Sequence, residues 1–268
     1  MIKMKRGVIL LIFISALLIS SDQYKSYRSV PNTSFIPGEV INYKVHYGFV
    51  NAAEGKMVIS DKLFKINNRH CYKIDVYGKS IGMFDVFLRI RDNWGTYLDT
   101  ASIIPHKAYR YIEEGKYRKK EIVNFHHFNK KVEVIDFDKN KEIWKPAKEF
   151  EAPTYVQDMV SGYYYLRTLD FDKLKENEII QLKAFFDDEV YDFNIRFLGR
   201  EEVKTKIGTI RSLVLSPIMP ENSLFDGENS IRVWISDDRN KVPIKVKAQM
   251  FVGAVEVDIQ SYEKGDIK

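Results

Sequence analysis

From Phe35 onward, apolar and polar side chains alternate along the chain with a period of two. Ile41, Tyr43, Val45 and Tyr47 interleave with Asn42, Lys44 and His46; Tyr191, Phe193, Ile195 and Phe197 interleave with Asp192, Asn194 and Arg196. Ile231, Val233 and Ile235 repeat the pattern beside Ser230 and Arg232, although Trp234 puts an aromatic on the second face. Val255, Val257 and Ile259 stand against Glu256 and Asp258. Successive strand side chains point to opposite faces, so this period predicts strands with one dry and one wet side. Turn residues punctuate them at Asn67-Asn68, Glu114-Gly115, Asp138 to Asn140, Asp226-Gly227 and Asp237 to Asn240, which suits antiparallel hairpins. The predicted fold class is mainly β, a curved antiparallel sheet or a half-barrel or barrel.

One stretch breaks the period. Pro153 precedes a Thr154-x-x-Gln157 pair that reads as a capping box, and Val156, Met159, Val160, Tyr163 and Leu166 then recur at helical spacing. The spacing predicts a helix over 155–169 that covers or plugs the sheet, with Asp158 well placed near its positive end. One domain over 35–262 around this central helix is the expected organisation; two β halves about the helix is the alternative. Residues 22–34 carry little apolar pattern and read as a flexible tether, and 263–268 as a tail.

The first residues supply an address. Lys3, Lys5 and Arg6 precede a nearly unbroken apolar run, Val8 to Ile19, before Ser20, Ser21 and Asp22. That layout predicts a signal peptide over 1–21, and the run is shorter than the roughly 20 residues a membrane span needs. No cysteine follows it, so the expected product is exported, periplasmic or associated with the outer envelope, and not lipidated. The membrane is expected to be met only in passing, through this leader. Composition agrees with a packed domain, at 45% hydrophobic and 29% charged residues, and excludes a disordered chain.

The formal charge of +5 overstates the basicity of the rest. Taking the three leader cations from 42 basic residues leaves 39 against 37 acidic ones, a net of +2. The one dense basic run, Lys116 to Lys120, reads as a lysine-protected strand edge, and nucleic-acid binding is not expected. Cys71 is the single cysteine, so no internal disulfide can form, and it reads as a small buried hydrophobe.

Candidate chemistry is sparse. His46, His70, His106, His126 and His127 show no converging metal-ligand spacing, and no metal or cofactor is expected. Asp187-Asp188-Glu189 and Asp237-Asp238 lie between strand patterns, where acidic residues serve turns. No nucleophile-elbow or phosphate-loop motif is present, and no catalytic residue is assigned. The least ordinary stretch is FDVFLRIRDNWGTYLD, read as a strand with Phe84, Val86, Leu88 and Ile90 on one face and Asp85, Phe87, Arg89 and Arg91 on the other. Were that second face a barrel interior, Arg89 and Arg91 would need acidic partners or an acidic ligand. Trp94 and Trp234 could supply apolar wall to such a cavity.

With strand order, helix and ending laid out, the chain resembles the bacterial family catalogued as domain of unknown function 3108. The likeness is carried by PGEVINYKVHYGFVNAAEGKMVI, where Gly48 and Gly55 bracket a turn, and by Asp99, Pro105 and Glu114-Gly115. It continues in the helix pattern Asp158, Ser161, Tyr164, Arg167 and in the closing strands through VWISDDRNKVPIKVKAQMFVGAVEVDI. This last run is also similar to the carboxyl-terminal strands of lipoprotein-carrier half-barrels. The resemblance implies an exported envelope protein of β architecture and brings no catalytic residues with it. Asp158 and Arg167, as pattern positions, join Arg89, Arg91, Trp94 and Trp234 as ligand-binding candidates.

The expected function is therefore non-catalytic: binding of a lipid, another amphiphile or an envelope partner beyond the inner membrane. Two rivals stand beside it. A hydrolase acting on envelope polysaccharide or peptide would need Asp85, Asp158, Asp187 and Asp188 to meet in one cleft. A structural or assembly partner would show a large exposed apolar patch.

Overall fold

A computed structural model of the chain describes residues 26–218, 230–251 and 253–264. The expected signal peptide and the Asp226-Gly227 turn lie outside the described residues. The first arm comprises β1 (Val40–Tyr47), β2 (Val50–Ile66), β3 (Arg69–Ser80), a short helix α1 (Gly82–Phe87), β4 (Arg91–Asp99), β5 (Pro105–Glu114), β6 (Tyr117–His126), β7 (Lys131–Asp138), β8 (Ile143–Trp144) and β9 (Lys148–Glu151). Helix α2 (Met159–Leu166) follows. The second arm is β10 (Ile179–Phe186), β11 (Glu189–Thr205), β12 (Gly208–Pro217), β13 (Ile231–Ser236), β14 (Pro243–Gln249) and β15 (Ala254–Glu263).

All these strands belong to one antiparallel sheet, ordered β10-β11-β12-β13-β14-β15-β1-β2-β3-β4-β5-β6-β7-β8, with β9 also on β7. The two arms join through the first and last strands, where Tyr43 faces Ile259 and Val45 faces Val257. The free edges therefore fall in mid-chain, and the sheet is not closed by a strand ladder. The non-helical segment before α2, turned at Thr154 and Tyr155, spans that seam. Ala152 N–H donates to Lys130 O at 2.9 Å on one side, and Gln157 N–H donates to Lys183 O at 2.8 Å on the other. Covered edges no longer offer unpaired backbone groups to another chain.

Local chemistry explains the hairpins. Asn67-Asn68 and Asp187-Asp188 are two-residue connections with φ of 50° and 60°, and 50° and 67°, the left-handed pair that a tight hairpin demands. The acidic pair at 187–188 is thus a turn.

Several expectations need correction. Helix α2 is shorter than 155–169, and its cap is Asp158, not Thr154. The Asp158 carboxylate accepts from Val160 N at 2.8 Å and Ser161 N at 3.0 Å, while Asp158 N–H donates to Ser161 Oγ at 2.8 Å. Gln157 is held by β10 and Tyr155 sits at φ 66°, so the seam-bridging geometry overrides helical spacing there. The Phe84–Ile90 stretch is helix α1 and a turn, not a strand. Gly82 at φ 56° diverts the chain, and Ser80 Oγ donates to Asp85 Oδ1 at 2.6 Å. The run Lys116 to Lys120 pairs on one side only, with β5, because the β7 ladder reaches no further than Glu121, so the lysine-rich stretch is a local edge as expected. Residues 26–34 are not a loose tether. Val30 N–H donates to Ala101 O at 2.7 Å, Ser34 is buried, and the Arg28 guanidinium lies 4.6 Å from the Tyr155 ring centroid and 4.7 Å from that of Tyr165.

Candidate ligand cavity

The concave face is built from rows of side chains set by register. One row, Ile59, Ile74, Thr96 and Ala108, is fully buried. Two residues along the same strands, Met57, Val76 and Trp94 are only half-buried. In the second arm Val257, Val246 and Val233 form a matching half-buried row, while Ile259 and Ile235 are buried.

Helix α2 decides which row is covered. Thr96 Oγ1 donates to the Asp158 carboxylate at 2.7 Å, which pins the helix start over the buried row. Val160 and Tyr164 then pack with Phe35, Ile59, Ile74, Leu98 and Ile103. Met159 and Tyr163, also one turn apart, face the other way. An eight-residue helix is only about 12 Å long, too short to fill the sheet's interior.

What remains is a cavity of about 550 Å³ between Met159, Tyr163 and the half-buried rows, walled also by Tyr43 and Phe186. A smaller space of about 130 Å³ shares Met159, Tyr163 and Val233 with it and extends toward Phe193 and Leu215. Trp94 lies nearly parallel to Phe186, ring centroids 5.9 Å apart, and Arg110 covers the Phe186 ring at 4.9 Å. Arg110 in turn pairs with Glu121 at 2.6 Å and Asp187 at 2.8 Å.

A larger groove of about 820 Å³ includes Lys44, Glu54, Lys79 and Arg91 among its walls. Its charges answer one another: Glu54 takes Lys44 at 2.8 Å and Lys79 at 2.9 Å, and these cations hold its carboxyl down at about 2. The apolar cavity, with walls that only a ligand could desolvate, is the better candidate.

Of the six residues singled out from the sequence, Trp94 alone lines this cavity. Arg89 is exposed, beyond α1. Arg91 is half-buried against Asp85 at 2.6 Å. Arg167 is wholly buried in a two-pronged pair with Glu39, at 2.5 and 2.8 Å, with Asn240 O taking a third bond at 2.9 Å. Asp158 is the helix cap, its pKa raised by burial. Trp234 is buried, and its indole N–H donates to Glu201 at 2.5 Å. Arg91, Asp158, Arg167 and Trp234 hold structural bonds, and Met57, Val76, Met159, Tyr163, Val246 and Phe186 line the cavity without having been singled out as ligand-binding candidates.

The four carboxylates named for a hydrolytic cleft do not all meet: of them, only Asp158 and Asp187 line a common space, of about 40 Å³. Asp85 binds Arg91, Asp188 takes Lys148 at 3.4 Å, and Asp187 takes Arg110. Cys71 is buried, and burial pushes its thiol up to about 12, far from a nucleophilic thiolate. Among the described residues no group of three His, Cys, Asp or Glu is placed to hold a metal ion, and no helix is long and apolar enough to cross a membrane.

No curated protein matches the sequence. Among solved structures, the chain is similar to a β-barrel-like protein of domain of unknown function DUF1849 from Brucella abortus, with a TM-score of 0.54 at 11% identity over 90% of this chain and 100% of that one. A protein designated a lipoprotein from Parabacteroides distasonis matches at a TM-score of 0.31 and 8% identity over 89% of this chain and 100% of that one, a level that carries no weight. The Brucella likeness supports the β-barrel-like fold alone. The family model described as Protein of unknown function (DUF3108) matches residues 42–260, and the chain belongs to that family.

Proposed function

We propose that the protein is exported and holds an apolar or amphiphilic ligand, such as a fatty acyl chain, between helix α2 and the concave face of its sheet. The observation that carries this reading is the cavity of about 550 Å³ beside a fully packed core. Small-molecule sites are typically about 300–1,000 Å³ and mostly apolar. Half-buried Met57, Val76, Trp94, Val233, Val246 and Val257 leave apolar area in water that a ligand would remove from it. The signal-peptide pattern over 1–21 supports export.

The test is native mass spectrometry of protein purified from the envelope, followed by displacement of a fluorescent fatty acid. Expected are a co-purified lipid mass and saturable probe binding that Val233→Trp abolishes. Protein that is empty and does not bind the probe would overturn the reading.

A further inference from the structure

The face of the sheet opposite the cavity carries a row of a different kind. Met57, Val76 and Trp94 face the cavity, so their neighbours Lys56, Tyr77 and Asn93 stand on the other side. Register sets Lys56 beside Tyr77, Tyr77 beside Asn93, and Asn93 beside Tyr111, across β2 to β5. All four line the groove of about 820 Å³. The outer face of a curved sheet offers no recess of its own; here the β11–β12 turn supplies a wall. Lys206 of that turn donates to Gln260 Oε1 on β15 at 3.1 Å, although β11 and β15 are not neighbours in the sheet, and both residues border the groove.

This row differs from the one beside it in what its side chains already do. Lys44 and Lys79 are held by Glu54, and Arg91 by Asp85. Lys56, Tyr77, Asn93 and Tyr111 make no side-chain hydrogen bond or ion pair among the described residues. The Asn93 amide oxygen is buried without a partner, a state that costs free energy until something answers it.

The two tyrosines are 42% and 38% exposed and stand two strands, or about 10 Å, apart. Tyr111 lies against Tyr109, ring centroids 5.3 Å apart. Tyr109 is itself fixed: it donates to Asp75 Oδ1 at 2.5 Å by crossing Gly95, where a Cβ would come within 2.1 Å of its ring. A platform held in this way loses little freedom when a ligand settles on it.

The chemistry of the row chooses its occupant. A pyranose turns C–H faces to aromatic rings, and its hydroxyls both donate and accept, as the amide, phenol and ammonium groups here require. A nucleic acid would stack on the same rings, but it needs cations along its phosphates, and Lys44, Lys79 and Arg91 already hold carboxylates. A hydrocarbon chain would leave the Asn93 amide unanswered. We propose that the outer groove binds a neutral oligosaccharide chain, stacked on Tyr77 and Tyr111 and hydrogen-bonded by Asn93 and Lys56. This site is independent of the apolar cavity and its ligand.

The experiment is calorimetric titration of the purified protein with maltotetraose, with cellotetraose, with the β-1,4-linked tetramer of N-acetylglucosamine, and with a single-stranded thymidine octanucleotide. At least one tetrasaccharide should bind saturably, with an affinity that low and high salt leave alike, and the arm that binds tells plain hexose from N-acetylhexosamine. Tyr77→Ala and Tyr111→Ala should each weaken it roughly tenfold, and Asn93→Ala roughly fivefold. Tyr77→Phe, which keeps the ring, should stay within about twofold. Binding of none of the tetrasaccharides, undiminished binding by the double Tyr77→Ala/Tyr111→Ala variant, or binding of the octanucleotide alone overturns the proposal. The two sites separate cleanly: Val233→Trp should keep the sugar and lose the fatty-acid probe. The double tyrosine variant should do the reverse, and its retained probe binding shows that it is folded.

Discussion

The two ends of the sheet are made of the same strands yet differ in what they bury. At one end Ile59, Ile74 and Leu98 lie under α2, and the Arg167–Glu39 pair is sealed among Ser34, Asn240 and Tyr164. At the other, Met57, Val76 and Trp94 look across an open space at Val233 and Val246. The packed end carries the stability, because removal of apolar area from water is complete there. The open end leaves that term partly unused and makes it available to a ligand. A step of two residues along a strand, about 7 Å, separates the two regimes.

The most severe way to break the contrast is at the buried ion pair. Arg167→Met strands the Glu39 carboxylate in the core, and we expect a loss of about 3–5 kcal/mol in urea denaturation. Replacing both partners with methionine should recover part of it. Next comes a paired truncation on β3. Ile74→Ala should cost about 2–5 kcal/mol, and Val76→Ala about 1 kcal/mol or less. Equal costs would mean that the open end is packed in solution.

Acid should act on the packed end. His127 is buried beside Phe125, His106 and Tyr27, and burial lowers its pKa to about 4, opposed by its contact with Pro105 O. The unfolded histidine titrates near 6.5, so as pH falls the unfolded chain takes up the proton first. Its contribution is complete above pH 6.5 and is lost as pH falls from 6.5 toward 4, up to about 3 kcal/mol. Denaturation midpoints at pH 7 and 5 should differ, and His127→Phe should flatten the difference. Asp99 has a lowered pKa too, despite burial, through His106 and Arg69, and it extends the loss to more acid solution, below the ordinary carboxylate range. The mildest effect is expected at helix α1, where Asp85→Asn should leave the thermal midpoint unchanged.

The β class and most turns were legible because alternation and turn residues are local. Asn67-Asn68 and Asp187-Asp188 each announce a hairpin by residue type alone. Less visible was α1. Phe84, Val86, Leu88 and Ile90 alternate like a strand, and only the Ser80, Asp85 and Arg91 bonds show that the segment is fastened as a helix and turn. The site was legible only in outline. Val233, Val257 and Tyr43 were readable as dry-face residues, but not which of them meet an empty space. Polar candidates drew notice because buried charge is rare; Arg167 and Asp158 proved to be holding the structure together.

Sequence by itself determined the pleated, two-faced character of the chain, its hairpin punctuation and the presence of a central helix, since each depends on neighbours a few residues apart. Tertiary structure alone decided that β1 would pair with β15, that the seam would fall in mid-chain, and that residues 152–157 would stay non-helical to bridge it. That last choice shortened α2 and so left a cavity in place of a filled core. Hydrogen-bonding needs at the seam outweighed local helical preference, and no local pattern records partners as distant along the chain as Lys130 is from Ala152 or Lys183 from Gln157.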